Sequence, residues 1–467
     1  FMRFVFRADG NSKIGLGHIT RCLALAYELK KYGGVEFISK PLPIKIPFKM
    51  YKLPRGANYN DDIKLTRYLL RKLVPDVVIV DHHRLGQDYL NDIKAFTNLL
   101  VTIDDLNREI CSDVVVNVNS FSLRMKYKCD KGKVFLGPKY ALVGKIKSRK
   151  NVRHAANRIL VSMGGADVLS ITPKVIAALR KIKGVFSTVV IGPAFTNEKE
   201  IHKAVSGDKR FSVVRTKELP ALMITHDIAI CGGGTTLYEL AATGTPSIIL
   251  CQAENQFINA NELHKKTVIN MGMGNRVSQD KVRSVAELML RDYTLRKKLS
   301  DNGKHLVDCE GPKRVANAIL EEFKSRKIEL KAAGKGDTLS IWKWRNEKTA
   351  RMNSFNTALI PFGEHRKWFA KALREKKKKI FVISNEGIKI GFVRIDFNRE
   401  YEMHIAIGKK YRGFGFGSRA IRMSCKLLGD RKIIAKIKSS NTSSIKAFES
   451  AGFRILKKTR GTVTLVS

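Results

Sequence analysis

His18 stands where a glycine turn gives way to a helix. In ADGNSKIGLGHITRCLALA, residues 8–26, an apolar strand pattern runs into Asp9, Gly10 and the Gly15–Leu16–Gly17 turn, and apolar residues at 19, 22, 23, 26 and 29 then share one helical face. Glycines at such a turn let a ligand approach the backbone, and helix N-termini attract anions. A histidine in the first turn feels the positive end of the helix dipole, which favours neutral imidazole, the form that accepts a proton. His18 is therefore a candidate general base; its bland alternative is a capping or packing histidine. GLGHIT lacks the third glycine of the dinucleotide fingerprint, and no GK[ST] of a phosphate loop occurs.

A second turn, CGGGTTLYEL, follows a buried strand pattern. Gly232, Gly233 and Gly234 make it permissive, Thr235 or Thr236 can cap the next helix, and that N-terminus suits a diphosphate. Glu239, just inside the helix, would repel phosphate and is better suited to sugar hydroxyls; the alternative is a turn serving only chain reversal. MGGAD, with Gly164, and ENQ, with Asn255 and Gln256, each follow another strand pattern, so these turns are expected to face one cleft. A metal-hydrolase reading would use Asp81, His82, His83, Asp104 and Asp105. Adjacent histidines point apart in extended chain and no HxH or HExxH occurs, so no metal is expected.

The third turn lies in IAIGKKYRGFGFGSRAI. Arg412, Gly413, Gly415 and Gly417 can present successive amide donors to a pyrophosphate, with a helix dipole behind them.

The elements that must position these turns alternate along the first 325 residues. Strands are expected at 2–7, 76–80, 99–103, 114–118, 159–163, 188–192, 228–231 and 246–251, with amphipathic helices such as ITRCLALAYELKK between them. Continuous Val/Ile runs predict strands buried on both faces, as in parallel sheets. The basic, aperiodic stretch 144–158 links two similar α/β lobes, and the helix 312–327 is expected to close the second. From 327 the pattern becomes α+β, with KKIFVIS, IKIGFVRID and YEMHIAIG in quick succession. The fold class is thus α/β, two Rossmann-like lobes followed by an α+β domain, divided at 1–146, 147–326 and 327–467.

The 467 residues fit about three domains. No run approaches the ~18–20 apolar residues that span a membrane. Seven scattered cysteines without a CxxC fit free thiols in the cytoplasm. The net charge of +45 is spread along the whole chain. It reads mainly as a lysine-rich surface, with some contribution to anionic small ligands; no nucleic-acid motif accompanies it.

RADGNSKIGLGHITRC, VDHH, VVNVNS, VSMGGAD, GGGTT-x-x-E and ENQ, in this order, resemble the UDP-sugar hydrolase of pseudaminic acid biosynthesis, whose fold is related to GT-B glycosyltransferases. The resemblance covers roughly residues 2–325. It implies that His18 activates water and that uridine and diphosphate lie near Gly233, Thr235, Thr236 and Glu239. It makes Asn255 and Gln256 sugar or phosphate contacts, and Asp9, Gly17 and Gly164 parts of the site. His83 stands where the family often has tyrosine.

RGFGFG together with NTSSIKAFESAGF resembles the GNAT acetyltransferases over 327–467. WRNE (344–347) and HRKWF (365–369) are further similar to members that acetylate amino groups on nucleotide sugars. This implies acetyl-CoA as cosubstrate on Arg412, Gly413, Gly415 and Gly417, with Ile405, Ile407, Asn441 and Ser444 as further contacts. Glu402 and His404 are candidate bases, and Phe448 occupies the position of the usual proton-donating tyrosine.

Together the resemblances imply a bifunctional cytoplasmic enzyme: acetylation of the 4-amino group of a UDP-sugar, then hydrolytic loss of UDP. One alternative is a GT-B glycosyltransferase with a regulatory or degenerate GNAT domain. Another is a basic nucleic-acid-binding protein.

Overall fold

The apolar runs become the strands of three separate sheets in the computed structural model of the chain. The structure describes residues 2–467 apart from 83, 107, 108, 111, 128–131, 147, 217, 386, 398, 399 and 430. The first sheet comprises β1 (Met2–Ala8), β2 (Gly33–Ser39), β3 (Lys49–Lys52), β4 (Val77–Asp81), β5 (Leu99–Ile103), β6 (Val114–Asn117) and β7 (Lys133–Leu136). Its order is β3-β2-β1-β4-β5-β6-β7, and every pairing is parallel. The second comprises β8 (Arg158–Ser162), β9 (Phe186–Val190), β10 (Phe211–Val214), β11 (Ile228–Cys231), β12 (Ser247–Cys251) and β13 (Ile269–Met273). Its order, β10-β9-β8-β11-β12-β13, is again all parallel.

Both sheets reverse strand order beside their first strand, at β1/β4 and at β8/β11. Ligands of open α/β sheets collect at the carboxyl ends of the strands there. β4, β5 and β6 are buried along their whole length because helices cover both faces. The helix Gly17–Leu29 covers one face with Ile19, Cys22, Leu25, Ala26 and Leu29, all fully buried.

The helix Gly311–Ser325 departs from expectation. It does not close the second lobe but crosses back and packs on the helix Gly17–Leu29 and on β6. Gly311 lies so close to the first lobe that a Cβ there would sit 2.1 Å from the Ala141 carbonyl oxygen. At the other end Glu322 pairs with Lys133 at 3.0 Å, and Arg326 pairs with Asp113 at 3.0 Å. The apolar stripe Val315, Ala316 and Ile319 completes the core beneath β1 and β6, which the first lobe's own helices leave open.

The third sheet comprises β14 (Ile328–Ala332), β15 (Lys378–Asn385), β16 (Ile388–Phe397), β17 (Tyr401–Ile407), β18 (Ile433–Lys438), β19 (Arg454–Lys458) and β20 (Thr462–Val466), in the order β14-β15-β16-β17-β18-β20-β19. The parallel pair β17–β18 is held only at Tyr401↔Ile433 and Glu402↔Ile434, so the two strands splay beyond Glu402. This domain docks on the first lobe through Arg422, which donates to the Asn98 side-chain oxygen, and through Arg419, which donates to the Asn98 carbonyl at 3.4 Å and to the carbonyl of Arg326 at the end of the returning helix. Among the described residues no helix is long and apolar enough to cross a membrane.

Candidate functional site

The carboxyl ends of the first two sheets face each other across a cleft of about 310 Å3. From the first lobe come the Gly15–Leu16–Gly17 turn, His18, Arg21, Asp105 and Asn119; from the second come the turns at Gly164, Gly232–Gly234 and 252–256. The predicted residues Gly17, His18, Gly164, Gly233, Thr235, Thr236, Asn255 and Gln256 all line it.

His18 is held from behind. Its Nδ1 lies 2.6 Å from Oδ1 of Asp81, the last residue of β4. Burial alone would push the Asp81 carboxyl up, but Arg21 and His18 outweigh it and hold the group well below the usual carboxylate range. An ionised carboxylate only accepts, so Nδ1 carries a proton, and in the neutral imidazole Nε2 is then the nitrogen with the lone pair. Arg21 lies one turn further along the same helix. It donates to Asp81 through Nε and Nη2, both at 2.6 Å, and to Asp105 through Nη1 at 2.9 Å and Nη2 at 2.8 Å. One guanidinium fork thus fixes two carboxylates from β4 and from the end of β5, and the first of them orients the imidazole. The arrangement can take a proton from a water on the Nε2 side.

The opposite wall offers backbone donors. Helix Thr236–Thr243 begins at the triple-glycine turn, with Thr235 as its first flanking residue. Gly233 leaves no space for a side chain: a Cβ would meet Gln256 Cβ at 3.0 Å and Cys251 Sγ at 3.3 Å. Gly164 needs its glycine for another reason, a φ of +80°. Gln252 bonds the carbonyls of Met163 and Ala166, and Gln256 Oε1 accepts from the Gln252 amide at 2.9 Å, which ties the turns together. Glu239 opens onto a small side cavity with Arg21 and Tyr238 rather than onto the main cleft. Burial pushes its carboxyl up to about 7. A diphosphate would meet the glycine turn and helix N-terminus first, with this group beyond them.

In the third sheet, the turn after β17 places Gly413 at φ +86° and Gly415 at φ +74° before the helix Phe416–Leu428. Ile405 and Ile407 lie on the stretch of β17 beyond its pairing with β18, along the open wedge. Arg412 is clamped by Glu347 at 2.6 Å and donates to the Ile407 carbonyl at 2.8 Å, so it braces the turn. Gly415 faces the first lobe, where a Cβ would lie 3.4 Å from the Asn98 carbonyl oxygen. His404 Nε2 lies 3.3 Å from Asp396 on the neighbouring strand and 3.8 Å from Glu402, which also pairs with Lys436 at 3.3 Å. Asn441 caps the helix Thr442–Ser450 by accepting from the Ser444 amide at 3.2 Å. Phe448 is buried in the apolar core, edge-on to Phe453.

Residues 327–454 match the family model of the acetyltransferase (GNAT) domain. The chain carries a GNAT domain. Acetyl-CoA is the cosubstrate of such a domain, and the two positive-φ glycines with the open β17–β18 wedge fit it. An uncharacterized protein of Methanocaldococcus jannaschii is 26% identical over 98% of both chains. The spore coat polysaccharide biosynthesis protein SpsG of Bacillus subtilis is 24% identical over 69% of this chain and 98% of its own. The UDP-2,4-diacetamido-2,4,6-trideoxy-beta-L-altropyranose hydrolase of Campylobacter jejuni is 25% identical over 57% of this chain and 97% of its own. The crystal structure of Acinetobacter baumannii MurG superposes with a TM-score of 0.50 at 13% identity, covering 69% of this chain and all of that one. The part ahead of the GNAT domain thus has a GT-B-like fold of two Rossmann-like lobes.

One predicted residue of the first lobe sits elsewhere. Asp9 does not reach the cleft wall: it is buried and accepts from Arg7 at 2.7 Å, from the Lys40 amide at 2.8 Å and from Ser39 at 3.3 Å. Its role in the structure is to neutralise Arg7, which also pairs with Asp62 at 2.6 Å. His83 lies outside the described residues. Among the described residues the metal reading does not assemble. Asp81 and Asp105 are taken by Arg21, His82 lies 3.3 Å from Asp9, and Asp104 accepts from Tyr127. The sequence reading passed over Arg21, Asn119, Tyr238 and Asn259 altogether, all of them polar groups buried between or beside the lobes.

Proposed function

We propose that the chain is a bifunctional enzyme of nucleotide-sugar modification, with lobes at 1–146 and 147–326, the last helix of that span packing back on the first lobe, and the GNAT domain at 327–467. The GNAT domain acetylates the 4-amino group of UDP-4-amino-4,6-dideoxy-N-acetyl-β-L-altrosamine. The lobes then hydrolyse UDP-2,4-diacetamido-2,4,6-trideoxy-β-L-altropyranose to UDP and free sugar. The observation that carries the hydrolytic half is the His18–Asp81 pair facing the triple-glycine helix N-terminus across one cleft.

In that half, a water gives a proton to His18 Nε2 as its oxygen bonds the anomeric carbon. The bond from that carbon to the diphosphate oxygen breaks, and UDP leaves with the bonding pair. Gly233, Thr235 and Thr236 receive the diphosphate, and Asn255 and Gln256 border the sugar. In the acetylating half, the amine nitrogen bonds the thioester carbonyl carbon, the C–S bond breaks and CoA leaves as thiolate. His404, held by Asp396, is placed to take the ammonium proton more readily than Glu402, which faces Lys436. Phe448 has no proton to give the thiolate.

The test is to incubate the protein with the UDP-linked 4-amino sugar, with and without acetyl-CoA, following products by phosphorus NMR and mass. Acetylation followed by UDP release, with release lost in His18→Ala, is expected. Acetylation without UDP release, in the absence of any sugar acceptor, would overturn the hydrolase half and leave the GNAT domain standing.

A further inference from the structure

Tyr238 and Asn259 connect the proposed base to the nucleotide-facing lobe. Tyr238 is the third residue of the helix that starts at the triple-glycine turn, and Asn259 belongs to the helix Glu254–Glu262 that starts at ENQ. The Tyr238 hydroxyl lies 3.1 Å from Asn259 Oδ1 and 3.3 Å from Asn119 Oδ1, and Asn119 belongs to the first lobe. Asn259 Oδ1 also accepts from the Ser120 amide of that lobe at 2.9 Å. Asn119 in turn donates to Asp105 Oδ1 at 2.9 Å. From Asp105 the chain of bonds continues through Arg21 and Asp81 to His18.

The side chains of Tyr238, Asn259, Asn119, Arg21 and Asp81 belong to residues less than one-tenth exposed. The Tyr238 hydroxyl is thus one of the points at which these two helices meet the first lobe, beside Asn259 on the Ser120 amide and Glu262 on Arg124, and it lies four bonded side chains from the imidazole. The lobes also touch at Leu16, whose Cβ would lie 2.8 Å from a Cβ on Gly165. The Tyr238 hydroxyl, with one proton to share between Asn259 Oδ1 and Asn119 Oδ1, lies at the contact between the lobes.

We propose that Tyr238 is a positioning residue: closure of the lobes over a nucleoside diphosphate is transmitted through Tyr238, Asn119, Asp105, Arg21 and Asp81 to the orientation of His18. This deepens the hydrolase reading and rests on it for the identity of the base. Tyr238→Phe removes one oxygen and leaves the ring packing unchanged.

Three measurements on the full chain test the proposal. UDP affinity by calorimetry is expected to fall only about 2–10-fold, the share of closure that one hydrogen bond supplies, because the glycine turns are untouched. Turnover of the UDP-sugar is expected to fall roughly 5–100-fold, in kcat rather than KM, the size expected for one buried hydrogen bond. Carbethoxylation of His18 by diethyl pyrocarbonate, mapped by peptide mass without any substrate, is expected to change at least about threefold in rate. Asn119→Ala is expected to reproduce these effects, and the double variant to add little, since both act through one path. Wild-type kcat together with wild-type His18 labelling in Tyr238→Phe would overturn the proposal, as would fully additive single variants. A wild-type protein that releases no UDP would instead overturn the hydrolase reading; the labelling comparison would still decide the coupling.

Discussion

Asp81→Asn is the sharpest perturbation of the proposed hydrolytic site. Each Asp81 oxygen faces a donor: Oδ1 receives His18 Nδ1 and Arg21 Nη2, and Oδ2 receives Arg21 Nε at 2.6 Å and Cys22 Sγ at 3.5 Å. An amide keeps one oxygen and turns the other into a donor, so either orientation sets N–H against N–H. If the amide nitrogen faces His18, the imidazole must move its proton to Nε2 and can no longer accept one from water. If it faces Arg21, the fork that fixes the loop end of β4 is lost. Arg21 keeps Asp105, so the stability cost is that of one mismatched buried hydrogen bond, about 1–3 kcal/mol. That is less than the ~3–5 kcal/mol of a wholly orphaned buried charge. The cost to kcat is that of a misprotonated general base, roughly 10^2–10^4-fold or about 3–5.5 kcal/mol. UDP release followed by phosphorus NMR reads the rate, and calorimetry reads UDP affinity, which is expected to stay unchanged. A kcat within about threefold of wild type, in a variant that still folds and binds UDP, would refute the reasoning, because so small a loss falls far below the range for a general base.

The remaining expectations are narrower. Glu239 has its carboxyl pushed up to about 7 by burial, so between the ordinary 4.5 and about 7 the unfolded chain has lost a proton that the folded chain keeps. Folding stability from this group therefore falls as pH rises through that window. Glu239→Gln should remove the fall, seen as Tm curves that diverge from wild type with rising pH; parallel curves would contradict it. His404→Gln should slow thiol release from acetyl-CoA by on the order of 10^2-fold, whereas Glu402→Gln, at a group already paired with Lys436, should do much less. Equal losses would remove His404 as the base. Gly415→Ala puts a side chain at φ +74° facing Asn98 and should raise the KM for acetyl-CoA roughly 5–30-fold, with kcat less affected. An unchanged KM would show that the turn does not hold the cosubstrate.

The parts of the molecule that local pattern encodes were readable in the sequence. The Val/Ile runs of β4, β5, β6, β8 and β11 are buried throughout and announce themselves. β3, β7, β10 and β13 escaped because partial burial leaves a mixed pattern with no two-residue alternation. The closing hairpin β19–β20 escaped for a related reason: RILKK is exposed along its length and owes its strand form to its neighbour. His18 was found because a glycine turn and a helix start are local signals. Its partner Asp81 is 63 residues away and was legible only as an acid at a strand end. Tyr238 is 119 residues from Asn119, and in TLYELAAT it reads as one more core residue. Asp9 was misplaced because an acid beside glycines looks the same from sequence whether it meets a ligand or the guanidinium of Arg7.

The return of the helix Gly311–Ser325 to the first lobe bears on how the protein is made. The last strand of the first sheet ends at Leu136 and the helix that completes its core starts at Gly311, 175 residues later. At ~5–20 residues per second of synthesis, the apolar surface awaiting Val315, Ala316 and Ile319 emerges roughly 9–35 seconds before its cover. The second lobe, whose strands lie within 158–273, can finish while the first still waits. The first lobe is thus the first to be synthesised and the last of the two to mature, and nascent chains stalled before residue 311 would be the ones that engage chaperones.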